Sequence, residues 1–212
     1  MTILLSDPRV AAVPVRDRHE PLVELDRRFG PAGARVRQGL AHRLERALDA
    51  LPLGIGLLVV EGHRPASAQR AIIARYSAEV RWWHPQADER EVDRLTSRFV
   101  SPVAVAPHVG GAAVDVTLYD ACGDQLDMGT PIDATPEESG GRCYFAAEGL
   151  SADARAHRRL LAGVMTGAGL VNYPTEWWHW SYGDRYWALT TGAPAALYGP
   201  ADDSVLAGQA AL

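Results

Sequence analysis

Two short stretches far apart along this chain, PHVGGAAVD at 107–115 and EWWH at 176–179, constrain its fold more than anything else in it. The first offers His108 and Asp115, the second Glu176 and His179. Two imidazoles and a carboxylate are ligand types that a catalytic zinc favours, because three protein ligands leave a fourth position open for water. A further carboxylate that need not touch the metal is what hydrolysis requires to take a proton from that water. For these residues to act together, the fold must bring the two stretches side by side. Upstream, EGHRP at 61–65 adds Arg64, a permanent cation that can face an oxygen gaining charge.

Taken one at a time, these residues also have plain structural readings. A histidine ahead of glycines suits a surface loop, and an aspartate in a strand suits a local hydrogen bond. Tryptophans around His179 suit a packed core, and Arg64 suits a strand end paired with Glu61. On a regular strand, positions 108 and 115 face opposite sides, so Gly110 and Gly111 must turn the chain for His108 to meet Asp115. Glu176 needs an irregular start after Pro174 to join the face that carries His179. The helical zinc motif HExxH is absent.

The rest of the chain predicts an α+β fold in a single domain over 1–212, with a core over about 13–189 and a tail over about 190–212. Val36, Leu40, Leu44 and Leu48 recur at helical spacing over 31–50, with Pro31 near the helix start. LGIGLLVVEG at 53–62 reads as a buried strand, followed by a helix from Pro65 to about Trp83 and a shorter one over 87–99. Val114, Val116 and Leu118 alternate with Asp115 and Thr117, as in a half-buried strand. ACGDQL turning into DMGTPID suggests a hairpin. Ser151 is placed to cap a helix over 152–168 that Gly169 closes. LVNY, EWWHWSY and RYWAL read as terminal strands. Helices first, then hairpins, then a helix and final strands make an antiparallel sheet, packed with helices, the carrier of the site.

A formal net charge of −5 argues against nucleic acid or an anionic membrane surface as partner. No window approaches the ~20 apolar residues of a membrane span. The stretch MTILLSDPRVAAVPVRD has neither the basic nor the apolar region of a secretory signal, so a cytoplasmic protein is expected. Cys122 and Cys143 are too few for a disulfide framework and are expected to be incidental thiols. Oligomeric state is left open by the sequence.

EGHRP, PHVGGAAVDVTL, LDMGTPID and YPTEWWHW occur in the order and approximate spacing of the zinc D-alanyl-D-alanine dipeptidases, the VanX type, which the chain resembles from about Val13 to Leu189. The resemblance implies one zinc per chain on His108, Asp115 and His179, with Glu176 as catalytic base and Arg64 steadying the scissile carbonyl. It also implies that Asp133 holds the ammonium of a small dipeptide substrate; by itself Asp133 reads as a turn residue. The zinc pattern is shared with D-Ala-D-Ala carboxypeptidases and endopeptidases acting on longer wall peptides, and a non-catalytic binding module on the same scaffold is a further alternative. The chain departs from the dipeptidase pattern at Ala106, commonly serine, and at His63, commonly tyrosine. It also lacks a clear counterpart of an amine-binding tyrosine near the N-terminus.

Overall fold

The computed structural model describes residues 2–201. A short helix α1 (Pro8–Ala12), capped by Asp7, precedes the antiparallel pair β1 (Leu22–Glu24) and β2 (Arg35–Arg37). β2 runs straight into α2 (Gln38–Asp49), which buries Leu40, Ala41, Leu44 and Ala47 along one face. Strand β3 (Ile55–Glu61), the long helix α3 (Ala66–Trp83), helix α4 (Glu89–Thr96) and strand β4 (Ala113–Asp120) follow. A single-turn helix α5 (Pro136–Ser139) and helix α6 (Ala152–Gly167) lead to the short strands β5 (Val171–Asn172) and β6 (His179–Ser181), and α7 (Arg185–Thr191) comes last.

Four strands form one antiparallel sheet in the order β3-β4-β6-β5. β4 is its spine. Val114, Val116 and Leu118 on one face of β4 join Leu57 and Val59 of β3, Leu40 and Leu44 of α2, and Leu161 and Met165 of α6 in the main core. Trp177, Trp178 and Trp180 are fully buried in the same core. The opposite face of β4 carries Asp115 and Thr117, which are also buried, so β4 is covered on both sides rather than half-exposed.

The α+β expectation holds, and the differences are local. The helix expected from Pro31 starts only at Gln38, because Gly30 (φ 102°) and Gly33 (φ 57°) break the backbone and Val36 pairs with Val23 instead. RYWAL forms helix α7, not a strand. Its aromatic residues favour strand locally, but the Asp184 carboxylate accepts the Tyr186 and Trp187 amides and caps a helix. The hairpin expected at DMGTPID is reduced to one bridge, Tyr119 with Gln125. Beyond it, left-handed residues at Gly129 and Asp133 keep the chain irregular. Of the expected tail, Ala195, Ala196 and Tyr198 are buried, and residues 202–212 lie outside the described residues. Among the described residues no helix is long and apolar enough to cross a membrane.

Candidate metal centre and active site

The site begins with an irregularity in the sheet. The register of β3 against β4 shifts between Val59 and Glu61, which sets Glu61 opposite Asp115. Asp115 in turn lies opposite His179 on β6. Glu61, Asp115 and His179 therefore form one row across three strands, and residues directly opposite one another project from the same face. His108 joins this row from the single-turn 3-10 helix His108–Gly110, which ends at Gly111 in the left-handed region. A Cβ at Gly111 would lie 2.3 Å from Leu22 Cδ2, so the turn that re-aims His108 depends on that glycine.

His108 Nε2, His179 Nδ1 and Asp115 Oδ1 converge. The nitrogens are 3.0 Å apart, and they lie 3.4 and 3.1 Å from the carboxylate oxygen. Tetrahedral zinc with ligand bonds of about 2.0–2.1 Å requires ligand atoms roughly 3.3 Å apart, so this triangle has the size zinc demands. His108 Nδ1 donates to the Gly62 carbonyl at 2.7 Å, which fixes the ring and leaves the Nε2 lone pair facing the triangle. All three side chains are buried, and among the described residues this is the one cluster of three such groups close enough to share an ion. Burial opposes charge on Asp115, but the two imidazoles outweigh it and hold the carboxyl well below its ordinary range. The donor set and spacing fit a single zinc.

Around the triangle lies a cavity of about 330 Å³ whose wall includes Glu61, Arg64, Asp133 and Glu176. The Glu176 carboxylate is buried 3.9 Å from His179 Nδ1, outside the triangle yet beside it. Burial pushes this carboxyl well above its ordinary range, and the Asp115 and Asp133 carboxylates add to the shift. A bound cation acts in the opposite direction.

Arg64 leaves β3 just past the bulge. Its Nε donates to Glu61 Oε1 at 2.6 Å, Nη2 donates to Glu61 Oε2, and Nη1 donates to Gln69 Oε1 at 2.8 Å. Three of the five guanidinium hydrogens are thus occupied, leaving one on each Nη. Gln69 is itself buried and anchored by donation to the Ser101 carbonyl. Asp133 stands at the cavity rim in a left-handed conformation (φ 63°). The residue as a whole is exposed, yet it is among those that line the cavity. Partial burial, with the Asp115 and Glu61 carboxylates nearby, pushes it up to about 6.

Every site residue expected from the sequence thus lines one cavity. Sequence reasoning did not single out Gln69, Thr135 and Glu138 on the same wall. Gln69 follows Arg64 closely on α3, and Thr135 with Glu138 spells a capping box, but neither signal points to a cavity.

The family profile described as D-ala-D-ala dipeptidase matches residues 37–192. A D-alanyl-D-alanine dipeptidase of Synechocystis sp. is 28% identical over 84% of this chain and 87% of its own length. One of Enterococcus faecium is 31% identical over 69% of this chain and 72% of its own. Among solved structures, VanYB in complex with D-alanine-D-alanine has a TM-score of 0.50 at 16% identity, covering 99% of this chain and 97% of that one, a likeness of fold alone. With a family match over most of the chain and a zinc-sized His-Asp-His triangle at its centre, the protein belongs to the D-ala-D-ala dipeptidase family of zinc metallopeptidases.

Proposed function

We propose that this protein hydrolyses D-alanyl-D-alanine or a closely related free dipeptide in its cytoplasmic pool. The observation that carries this reading is the placement of Asp133 and Arg64 on the wall of the cavity that holds the zinc triangle and Glu176. His108, Asp115 and His179 would hold the metal. Zinc held there would supply a Lewis acid that polarises the carbonyl and makes water at the site a better nucleophile near neutral pH. Glu176 accepts the proton of the attacking water and returns it to the leaving amine. Arg64 directs its two unoccupied hydrogens at the carbonyl oxygen as charge develops there, with Glu61 and Gln69 fixing the plane of the guanidinium. Asp133 pairs with the substrate ammonium and so sets which peptide bond lies beside Glu176. The names of the relatives support the same substrate class.

A second reading, cleavage of the terminal residue from longer wall peptides, is favoured by one feature. A second cavity, of about 420 Å³, shares Asp133 and Glu138 with the first and continues beyond them past Thr130 and Ile132. A panel of free, N-acetylated and longer peptides in all D/L combinations, run on protein of measured zinc content, tests both readings. The dipeptidase reading expects turnover of free dipeptides and rejection of their N-acetylated forms. Efficient cleavage of acetylated or longer peptides transfers the assignment to the second reading.

A further inference from the structure

Arg158 of α6 is an arginine buried to 2% exposure in the protein core. All four of its hydrogen bonds go to main-chain carbonyls of the irregular segment between β4 and α6. Nε donates to Met128 O (2.8 Å), Nη1 to Tyr144 O (2.6 Å) and Phe145 O (3.2 Å), and Nη2 to Arg142 O (2.9 Å). Burying a cation against carbonyls alone is costly, and burial brings its pKa down to about 10, so it stays charged at neutral pH. These four carbonyls bracket Asp133, with Met128 before it and the other three after it. The backbone of Gly129 packs close by: a Cβ there would sit 2.6 Å from Leu150 Cδ2 and in ordinary contact, 3.5 Å, with Arg158 Nη2.

The same guanidinium lies 5.6 Å from the ring centroid of Trp177, the residue next to Glu176. Trp177 also bonds to this segment, its amide to Cys143 O (3.0 Å) and its indole N–H to Thr130 Oγ1 (2.9 Å). A left-handed conformation at a non-glycine residue such as Asp133 persists only where the surroundings impose it. We propose that Arg158 is a positioning residue for substrate recognition: by gathering the carbonyls on both sides of Asp133 and lying over the Trp177 ring, it fixes the distance between the ammonium-binding carboxylate and Glu176. This inference rests on the assignment of Asp133 to the substrate ammonium.

The test compares wild type with Arg158→Met and Arg158→Lys by zinc content, by kcat and KM on free and N-acetylated dipeptides, and by amide hydrogen exchange over 126–147. For Arg158→Met, the KM of the free dipeptide is expected to rise by roughly tenfold or more, the scale of one hydrogen bond to a charged group. Zinc content should be unchanged, and exchange within the segment should accelerate. Arg158→Lys should recover part of this loss, since an ammonium keeps the charge and three donors without the fork; it also supplies the readout if Arg158→Met does not fold. A drop in kcat proportional to folded fraction, with KM and segment exchange unmoved in Arg158→Lys, would overturn the proposal. If wild type accepts free and acetylated dipeptides alike, the Asp133 assignment fails separately. Exchange in the segment then decides whether Arg158 orders it.

Discussion

Glu61 turns Arg64 from a flexible cation into an oriented one, because both carboxylate oxygens accept from one edge of the guanidinium. Glu61→Gln should therefore lower kcat on a dipeptide by about tenfold or more while zinc content stays whole, a split read from metal analysis and steady-state rates on the same preparation. Glu176→Gln should also retain zinc and lose roughly 10²-fold or more in kcat, the scale of a general base. His179→Ala should lose zinc and activity together, and a fully zinc-loaded His179→Ala protein would remove that residue from the ligand set. In the proposed mechanism Asp133 carries the pH dependence of substrate binding. Only its ionised form attracts an ammonium, so KM should climb as pH falls through about 6. Zinc beside Asp115 moves that limb lower, and Asp133→Asn should abolish it. At this scale the site was largely legible in the sequence, because its chemistry sits in contiguous stretches. Asp133 was visible only through family resemblance, since its meaning comes from a left-handed turn that no local pattern announces. Gln69 and Arg158 were not visible, because each acts through side-chain geometry fixed by distant backbone.

Helix α3 and the turn that follows α4 are joined to α5 by a side-chain cluster that no sequence pattern announces. Glu137 accepts from the Tyr76 hydroxyl at 2.7 Å and from the Arg98 guanidinium, at the back of the wall that carries Thr135 and Glu138. Burial opposes ionisation of Glu137, but Tyr76 and Arg98 outweigh it and hold the carboxyl below its ordinary value. A carboxyl lowered in the folded state contributes stability that is complete above its unfolded pKa of about 4.3 and is lost as pH falls through the folded one. Glu137→Gln should thus melt at lower temperature than wild type at neutral pH. The two melting curves should approach one another below about pH 4.3, in a series of thermal melts across that range. The elements themselves were read well where periodicity is strong, as in α3 and β3. They were misread where a single contact decides the outcome: Asp184 makes RYWAL a helix, and Gly30 with Gly33 delays α2. Caps and left-handed turns act at one residue, whereas hydrophobic periodicity averages over many.

At the scale of the whole molecule, segments from near the two ends of the described chain, around Glu20 and Gly199, meet beside the metal turn. Arg37 donates to Gly110 O (2.8 Å), Glu20 O (2.6 Å) and Gly199 O (3.1 Å), so one buried side chain links the turn of His108 to segments near both ends. Arg37→Met is expected to weaken zinc retention against a chelator and to lower the melting temperature together. Stripping zinc from wild type should also lower the melting temperature, because an ion bound only by the folded state stabilises that state. The row of Glu61, Asp115 and His179 across three strands has a consequence of a different kind. Side chains alternate along a strand, so a slip of one residue in β4 would send Asp115 into the hydrophobic core and leave the imidazoles without their carboxylate. A sheet slipped by one residue therefore loses this three-ligand site, and of the two pairings the native one gains the ion's binding energy. In this protein the binding energy of the ion therefore adds to the preference for the aligned sheet over one slipped by a residue.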